Sequence, residues 1–469
     1  MIKLLRFISF WALLFFIWHI ETGCANMIPP SGGPRDSIPP KLFAALPKDS
    51  AINVTTNKIT LVFDEFIDGK DIQKNLIISP YPKNSPLIDY KLRNVTIKLK
   101  DSLEANTTYS LNFGDGLKDV NEDNIAKNFK YVFSTGNTID QNVFSGNVIL
   151  AETGKIDSTL IIVLHKNLDD TAIYKNRPRY YTRVDGKGKF VFTNLPEGKF
   201  NAFVLPNDFT KKYDDSTKLF AFADSLIIIN KSTKPVNFYA YEEFKRKNVT
   251  KSSSPNNDKN NKPKKEDIRL RYTTSLDNAT QDILSPDLDI TFNRKIKSFD
   301  SSKIILTDQS FKELKNYTVK LDTGKTKISV RNEWKEGMVL RLIIMKEAVT
   351  DTSNKTISKS DTLIIHTKSE SDYGSLAIRF TNLDLSKNPV LLVMLNDKIA
   401  EAIPITQRDL FRKLYRPGEY ELSVLFDTNN NKVWDTGNYK KRRQPEVVKQ
   451  LNKKLSVRAN WDNEIEVAL

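Results

Sequence analysis

The strongest constraint on the fold is that the chain repeats itself. The stretch ITLVFDEFIDGKDIQKNLIIS (Ile59 to Ser79) returns as LDITFNRKIKSFDSSKIILT (Leu288 to Thr307). Each opens on an alternating apolar strand ending in Phe and a polar residue, Phe63-Asp64 and Phe292-Asn293. Further on, LKDVNEDNIAKNFKYVFSTG (Leu117 to Gly136) aligns without gaps to VTDTSNKTISKSDTLIIHTK (Val349 to Lys368), which sets Asp119 on Asp351 and Thr135 on Thr367. A second kind of unit lies between and after these two. LPEGKFNAFVLPNDFTKKYD (Leu195 to Asp214) matches YRPGEYELSVLFDTNNNKVWD (Tyr415 to Asp435), with Gly198 on Gly418 and Phe200 on Tyr420. The order of units is A-B-A-B.

Runs such as STLIIVLHK, KFVFTNL, SLIIIN and VLLVMLND are short and rich in β-branched and aromatic residues, with Gly, Pro, Asn and Asp between them. That composition predicts strands, and helical periodicity sustained over a dozen residues is absent. Units of about 100 residues with many short strands predict an all-β chain of tandem β-sandwiches. The expected A units span 41–137 and 268–368, and the B units 138–244 and 369–469. Between the halves, 245–267 reads KRKNVTKSSSPNNDKNNKPKKED and has almost no apolar residue to bury, so a basic, flexible linker is expected there.

The N-terminus carries a different signal. Lys3 and Arg6 precede an apolar run, Phe7 to Ile20, too short for a comfortable membrane span and suited to an export signal. Cys24, the single cysteine, follows in ETGC, so no intramolecular disulfide can form. The pattern resembles the lipobox of bacterial lipoproteins, with Glu21 where an apolar residue is usual, and it implies a lipidated Cys24 after removal of 1–23. Several acyl chains, at roughly 0.8 kcal/mol per buried methylene, would anchor the chain durably. The Pro- and Gly-rich 24–40 segment then serves as a tether.

Further resemblances rest on longer motifs. PKDSAINVTTNKITLVFDEFI and LKDVNEDNIAKNFKYVFSTG resemble the bacterial Ig-like domain of S-layer proteins (SbsA type). GKFVFTNLPEGKF, from Gly188, resembles carboxypeptidase-regulatory or transthyretin-like sandwiches. With GGPRDSIPP after the cysteine and DTGNYKKRRQPE near the end, the chain is similar to Ig-like domain lipoproteins of Bacteroidota. The resemblance implies an outer-membrane location, leaning to the periplasmic face, and brings no reaction with it.

Chemistry-bearing residues are few. FDTNNNKVWDTGN places Asp427, Asn429, Asn431 and Asp435 at positions 1, 3, 5 and 9 of a calcium-loop pattern, with the Val433 carbonyl at position 7. Lys432 stands where such loops carry Gly, and Asn438 where a bidentate Glu would close the site. A structural Ca2+ site of affinity on the order of 10⁻⁴ to 10⁻³ M is one reading. A turn whose Asn side chains bond their own backbone is the other. In the first B unit Asn207, Phe209 and Lys211 replace three ligands, so no metal is expected there. The adjacent Lys440, Lys441, Arg442 and Arg443 read as a solvated strand end, or else as a contact for lipid phosphate or an acidic partner.

Outside the signal only His165 and His366 remain, on separate predicted strands, and no G-x-S-x-G, H-E-x-x-H or C-x-x-C motif occurs. No catalytic residue or further cofactor is therefore expected. The net charge of +15 suits an anionic partner or follows from composition alone, and export argues against nucleic acid. The expected function is a non-catalytic, lipid-anchored interaction or scaffold protein that contacts envelope proteins. A glycan-binding alternative would require Trp334 or Trp461 to be exposed beside Tyr.

Overall fold

The computed structural model describes Trp11 and residues 36–244, 269–396 and 398–469. Cys24, the rest of the apolar N-terminal run, most of the tether and the 245–267 linker lie outside the described residues. What is described forms tandem β-sandwiches, with single-turn helices at Ile72–Asn75 and Ala172–Lys175. Among the described residues no helix is long and apolar enough to cross a membrane.

The two A stretches share one topology. In the first, a sheet runs Leu42–Leu46, Lys58–Phe63, Asn94–Lys98, Leu87–Lys91, and packs on Ile77–Ser79, Thr108–Asn112 and Lys130–Ser134. In the second, Tyr272–Thr274, Asp287–Phe292, Lys327–Arg331 and Thr318–Leu321 pack on Thr280–Gln281, Asp361–Thr367, Val339–Ile344 and Ile304–Thr307. Alternation explains the facing. Ile59, Leu61 and Phe63 point inward from one strand and pair with a partner that brings Ile97 and Val95 to the same core. Leu288, Ile290 and Phe292 do the same opposite Val330 and Ile328. Each such side chain contributes about 1.5–3 kcal/mol by leaving water.

The repeat extends to single hydrogen bonds. Asp119 is buried and its carboxylate accepts the backbone N–H groups of Glu122 (2.7 Å) and Asn124 (3.2 Å). Asp351, also buried, accepts those of Ser353 (2.8 Å) and Lys355 (2.7 Å). Thr135 donates its hydroxyl to the Glu104 carbonyl at 2.6 Å, and Thr367 donates to the Lys335 carbonyl at 2.6 Å. Each turn has backbone donors outside any strand ladder, and the buried aspartate that opens it accepts them in both copies.

The B stretches also correspond. Asn142–Leu150 pairs antiparallel with Lys189–Leu195 and parallel with Val236–Ala240. Gly374–Thr381 pairs antiparallel with Asp409–Tyr415 and parallel with Asp462–Ala468. The opposing sheets run Tyr180–Arg183, Leu160–His165, Gly198–Pro206, and Lys398–Pro404, Pro389–Leu395, Gly418–Phe426, Val447–Val457. The long strand Val447–Val457 takes the edge that Ala221–Phe222 and Ile227–Ile229 share in the first copy.

These sheets are apolar on both faces. Leu160, Ile162 and Leu164 enter the sandwich core, whereas Ile161 and Val163 join an outer cluster with Phe203, Phe220 and Tyr439. In the second copy Leu391 and Val393 face inward, and Val390, Leu392, Leu425 and Val448 form an outer cluster with Trp434. An outer apolar face must be covered, and the cover comes from the loop between Gly418–Phe426 and Val447–Val457.

Candidate functional site

That loop has two parts, a turn over 427–435 and a tongue over 436–446. In the turn, the buried Asp427 carboxylate accepts backbone N–H groups from Asn429 (3.2 Å), Asn431 (3.3 Å) and Lys432 (2.7 Å). Asn429 Oδ1 accepts from the Asn431 N–H, and Asn431 Oδ1 from the Val433 N–H. The amide groups of Asn429 and Asn431 both donate to Asp435 Oδ2, at 2.7 and 2.8 Å. Lys432 takes the left-handed backbone conformation (φ 63°) that the pattern gives to Gly. The turn thus brings together the side chains of Asp427, Asn429, Asn431 and Asp435 in hydrogen bonds of its own, while the Val433 side chain is exposed. Among the described residues no group of three or more His, Cys, Asp or Glu forms a metal-ligand cluster.

Glu446 was not singled out from the sequence. Its buried carboxylate accepts from the Thr428 N–H and hydroxyl, each at 2.7 Å, and from the Asp435 N–H at 3.0 Å. Its carbonyl accepts from the Trp434 indole N–H at 2.7 Å. Glu446 therefore ties the two ends of the turn together. Asn438, twelfth in the pattern, belongs to the tongue, where its side chain accepts from the Lys441 N–H and its backbone pairs with Arg443.

The tongue crosses to the first B stretch. Tyr439 enters an aromatic box, its ring centroid 5.7 Å from Phe203, 5.3 Å from Phe220, 5.1 Å from Phe222 and 6.1 Å from Tyr174. Its hydroxyl donates to the Asp170 carbonyl (3.1 Å), and its backbone N–H to Glu243 Oε1 (2.6 Å). Gly437 lies flat against Tyr241, where a Cβ would meet the ring at 2.5 Å, so only Gly fits. Arg442 pairs with Asp170 at 2.9 Å and sits over the Tyr439 ring. Gln444 donates to Asp224 and to the Phe222 carbonyl. Arg442 and Arg443 are thus not a plain solvated strand end, for Arg443 also donates to the Thr436 carbonyl.

Within each half, a cation–carboxylate contact joins A to B. Arg179 forks onto Glu104 with both bonds at 2.6 Å, and this fork holds the Glu104 carboxyl below its ordinary range against partial burial. In the second half Arg416 and the Tyr373 hydroxyl both reach Asp282.

The remaining candidates stand apart. His165 is buried beside a cavity of about 510 Å³ between the first A and B stretches, with Nε2 lacking a hydrogen-bond partner. Burial pulls its pKa down to about 4, so it is neutral at pH 7. His366 faces outward from Asp361–Thr367. Trp334 is buried and donates to the Pro286 carbonyl. Trp461 is exposed, with the Arg458 guanidinium over its ring at 5.6 Å.

Fold and seam define a chain of β-sandwiches joined through side-chain contacts. Residues 36–135 match the bacterial Ig-like domain family, which fits a non-catalytic interaction module. No curated protein matches the chain. Solved structures include an L,D-transpeptidase from Mycobacterium smegmatis, at 15% identity over 35% of this chain and 76% of that one, TM-score 0.17. The N-terminal part of the bacterial S-layer protein SbsC matches at 15% identity over 37% of this chain and 42% of that one, TM-score 0.17. BcpA, the major pilin subunit of Bacillus cereus, matches at 11% identity over 70% of this chain and 98% of that one, TM-score 0.16. Likenesses of this extent say nothing of what this chain does.

Proposed function

We propose that the chain is a lipid-anchored, non-catalytic scaffold of the outer membrane, tethered through Cys24 and presenting its sandwiches to envelope proteins engaged in assembly or secretion. The periplasmic face is the side assigned. One observation carries the reading. The conspicuous polar and aromatic side chains, Arg179, Asp282, Tyr439 and Arg442 among them, join sandwich to sandwich instead of converging on a reacting centre. The test is labelled palmitate together with a Cys24→Ala variant. Label in the wild-type protein, release of the variant from membranes and recovery of a defined outer-membrane complex support the proposal. Unlabelled protein, or a variant that stays in the membrane fraction, defeats it.

A structural Ca2+ in the 427–435 turn is the second part of the proposal. Its support is donor chemistry, since Asp427, Asn429, Asn431, Asp435 and the Val433 carbonyl offer hard oxygen ligands. The sibling turn adds to it, because there the Lys211 ammonium lies 3.0 Å from Asn207 Oδ1 and 3.0 Å from the Asp208 carbonyl. A positive charge sits at the first-position oxygen of the copy in which Phe209 and Lys211 replace the two Asn ligands. The glycan-binding alternative draws on the exposed Trp461 alone. Loss of glycan-array binding in Trp461→Ala would favour it.

A further inference from the structure

The two A stretches share one backbone at the end where the chain enters them, and carry different side chains on it. In the first copy the Ile67 N–H donates to the Leu92 carbonyl (2.8 Å), the Val120 N–H to the Phe66 carbonyl (3.1 Å) and the Asp64 N–H to the Lys41 carbonyl (3.1 Å). In the second, the Ile296 N–H donates to the Lys325 carbonyl (2.7 Å), the Thr352 N–H to that of Lys295 (3.3 Å) and the Asn293 N–H to that of Arg271 (3.1 Å). Leu92 and Lys325 also share the left-handed conformation, at φ 56° and 55°. These bonds set Phe66 on Lys295, Leu92 on Lys325 and Val120 on Thr352. All six residues are exposed.

The first copy adds a further ring at this end. Its edge strand Leu42–Leu46 bulges at Phe43, since Leu42 lies opposite Phe63 and Ala44 opposite Val62. In the second copy Tyr272 and Thr273 lie opposite Phe292 and Thr291 with no residue inserted. A bulge re-aims a side chain, and Phe43 is 80% exposed. Exposed Ile38 stands close by, because the Asn124 side chain, from the turn after Val120, donates to the Asp36 carbonyl (3.1 Å). Apolar residues scattered singly over a surface are ordinary, whereas a group of them marks a contact. Here the second copy serves as the control, for its matched sites hold Lys, Lys and Thr.

We infer that this end of the first sandwich seats in a lipid surface, with Phe43, Phe66, Leu92 and Val120 entering the interfacial layer of the bilayer. The inference rests on the lipid-anchor reading, which holds the chain to a membrane at Cys24. Residues 24–35 separate that cysteine from the first described residue of the sandwich, and fully extended they reach about 43 Å at most. The chain then enters at 36–41, so the apolar end is the one kept within reach of the acyl chains. The second A stretch has no such tether and carries lysines instead. Charges of both signs stand among the apolar residues, Lys91 and Arg93 against Asp64 and Glu65, so the contact depends on apolar area and needs no anionic lipid. Seating fixes the tilt of the first sandwich on the membrane and thereby which of its faces a neighbour meets.

The probe is a phosphatidylcholine vesicle that carries some nickel-chelating lipid and some brominated lipid as a contact quencher. The chain from residue 24 onward, with Cys24→Ala and a histidine tag ahead of it, is tethered to the vesicle at the natural place without an acyl group. An environment-sensitive fluorophore is attached to one introduced thiol, Leu92→Cys or, as the control, Lys325→Cys. The Leu92 label should shift to the blue on the vesicle and be quenched by bromine, and the Lys325 label should do neither. A label on Val120→Cys should follow the Leu92 label, and should lose both responses when Phe66→Lys and Leu92→Lys are added. Lysines occupy those backbone sites in the second copy, so this variant keeps its fold. Labels at Leu92 and Lys325 that respond alike overturn the inference, as does a Val120 label that the two lysines leave unchanged. The chelator stands in for the acyl chains, so a failure here is read separately from a failure of palmitate labelling.

Discussion

The Tyr439 hydroxyl donates to the Asp170 carbonyl at 3.1 Å, across 269 residues of sequence. That bond and the ring beneath it couple the two halves of the chain. Truncating a buried aromatic costs about 3–5 kcal/mol, so Tyr439→Ala should give urea melts in which the seam opens before the sandwiches. Tyr439→Phe keeps the ring and loses one hydrogen bond, about 1 kcal/mol, and its melt should stay close to wild type. Equal melts for both variants would contradict the role given to the ring.

Asp119 and Asp351 make a matched pair of predictions. Each is buried and accepts two backbone N–H groups, so an Ala substitution removes two charge-assisted hydrogen bonds and leaves those donors to water, at a cost of about 1–3 kcal/mol in all. Hydrogen exchange should accelerate at Glu122 and Asn124 in Asp119→Ala, and at Ser353 and Lys355 in Asp351→Ala. Faster exchange in the other copy would mean the repeats are coupled.

Acid sensitivity should trace in part to His165. Burial lowers its pKa from 6.5 to about 4. Between those values the unfolded chain binds the proton and the folded chain does not, so stability rises with pH across that window. The contribution is complete above about pH 6.5 and is lost as pH falls towards 4, a change on the order of 3 kcal/mol. A His165→Phe chain should have a flatter stability profile between pH 4 and 6.5, read by denaturant midpoints.

The Glu104–Arg179 fork gives a lower window. The Glu104 carboxyl sits below its ordinary 4.5 in the folded chain because Arg179 holds it. Its contribution is present above that value and disappears as pH falls through the depressed one. Glu104→Gln should remove this step at the joint between the first A and B stretches. Hydrogen exchange of Arg179 and its neighbours below pH 4.5 is the check.

Calcium should act on the 427–435 turn and its tongue together. With an affinity near 1 mM, 10 mM Ca2+ would stabilise by about 1.4 kcal/mol. The rise in Tm should vanish in Asp427→Asn. Addition of Ca2+ with no change in the wild-type Tm would remove the metal from the proposal and leave the turn to its own hydrogen bonds.

Much of this was legible in the chain. The alternation of Ile59, Leu61 and Phe63 and its return at Leu288, Ile290 and Phe292 announced strands with one buried face in two like units, since side chains of a strand point alternately to its two faces. The alignment set Asp119 on Asp351, and the fold gives both the same hydrogen-bond role. The oxygen donors spaced along 427–435 are visible in the sequence, as a calcium-loop pattern or as a turn bonded to itself. The part played by Glu446 is not, because its contacts reach back over eleven residues to Asp435 and eighteen to Thr428, and only a folded turn brings them near. One available sign was the unbroken apolar run Leu160–Leu164, which has no solvent face and so calls for cover on both sides.

The sequence alone determined the strand pattern and the repeat, because these follow from local periodicity and the cost of wetting apolar side chains. Only the tertiary structure decided that Tyr439 and Arg442 belong to the first half of the chain. That choice depends on the shape of a surface built from Phe203, Phe220, Phe222 and Tyr174, and no local pattern encodes which distant side chain will fill a pocket.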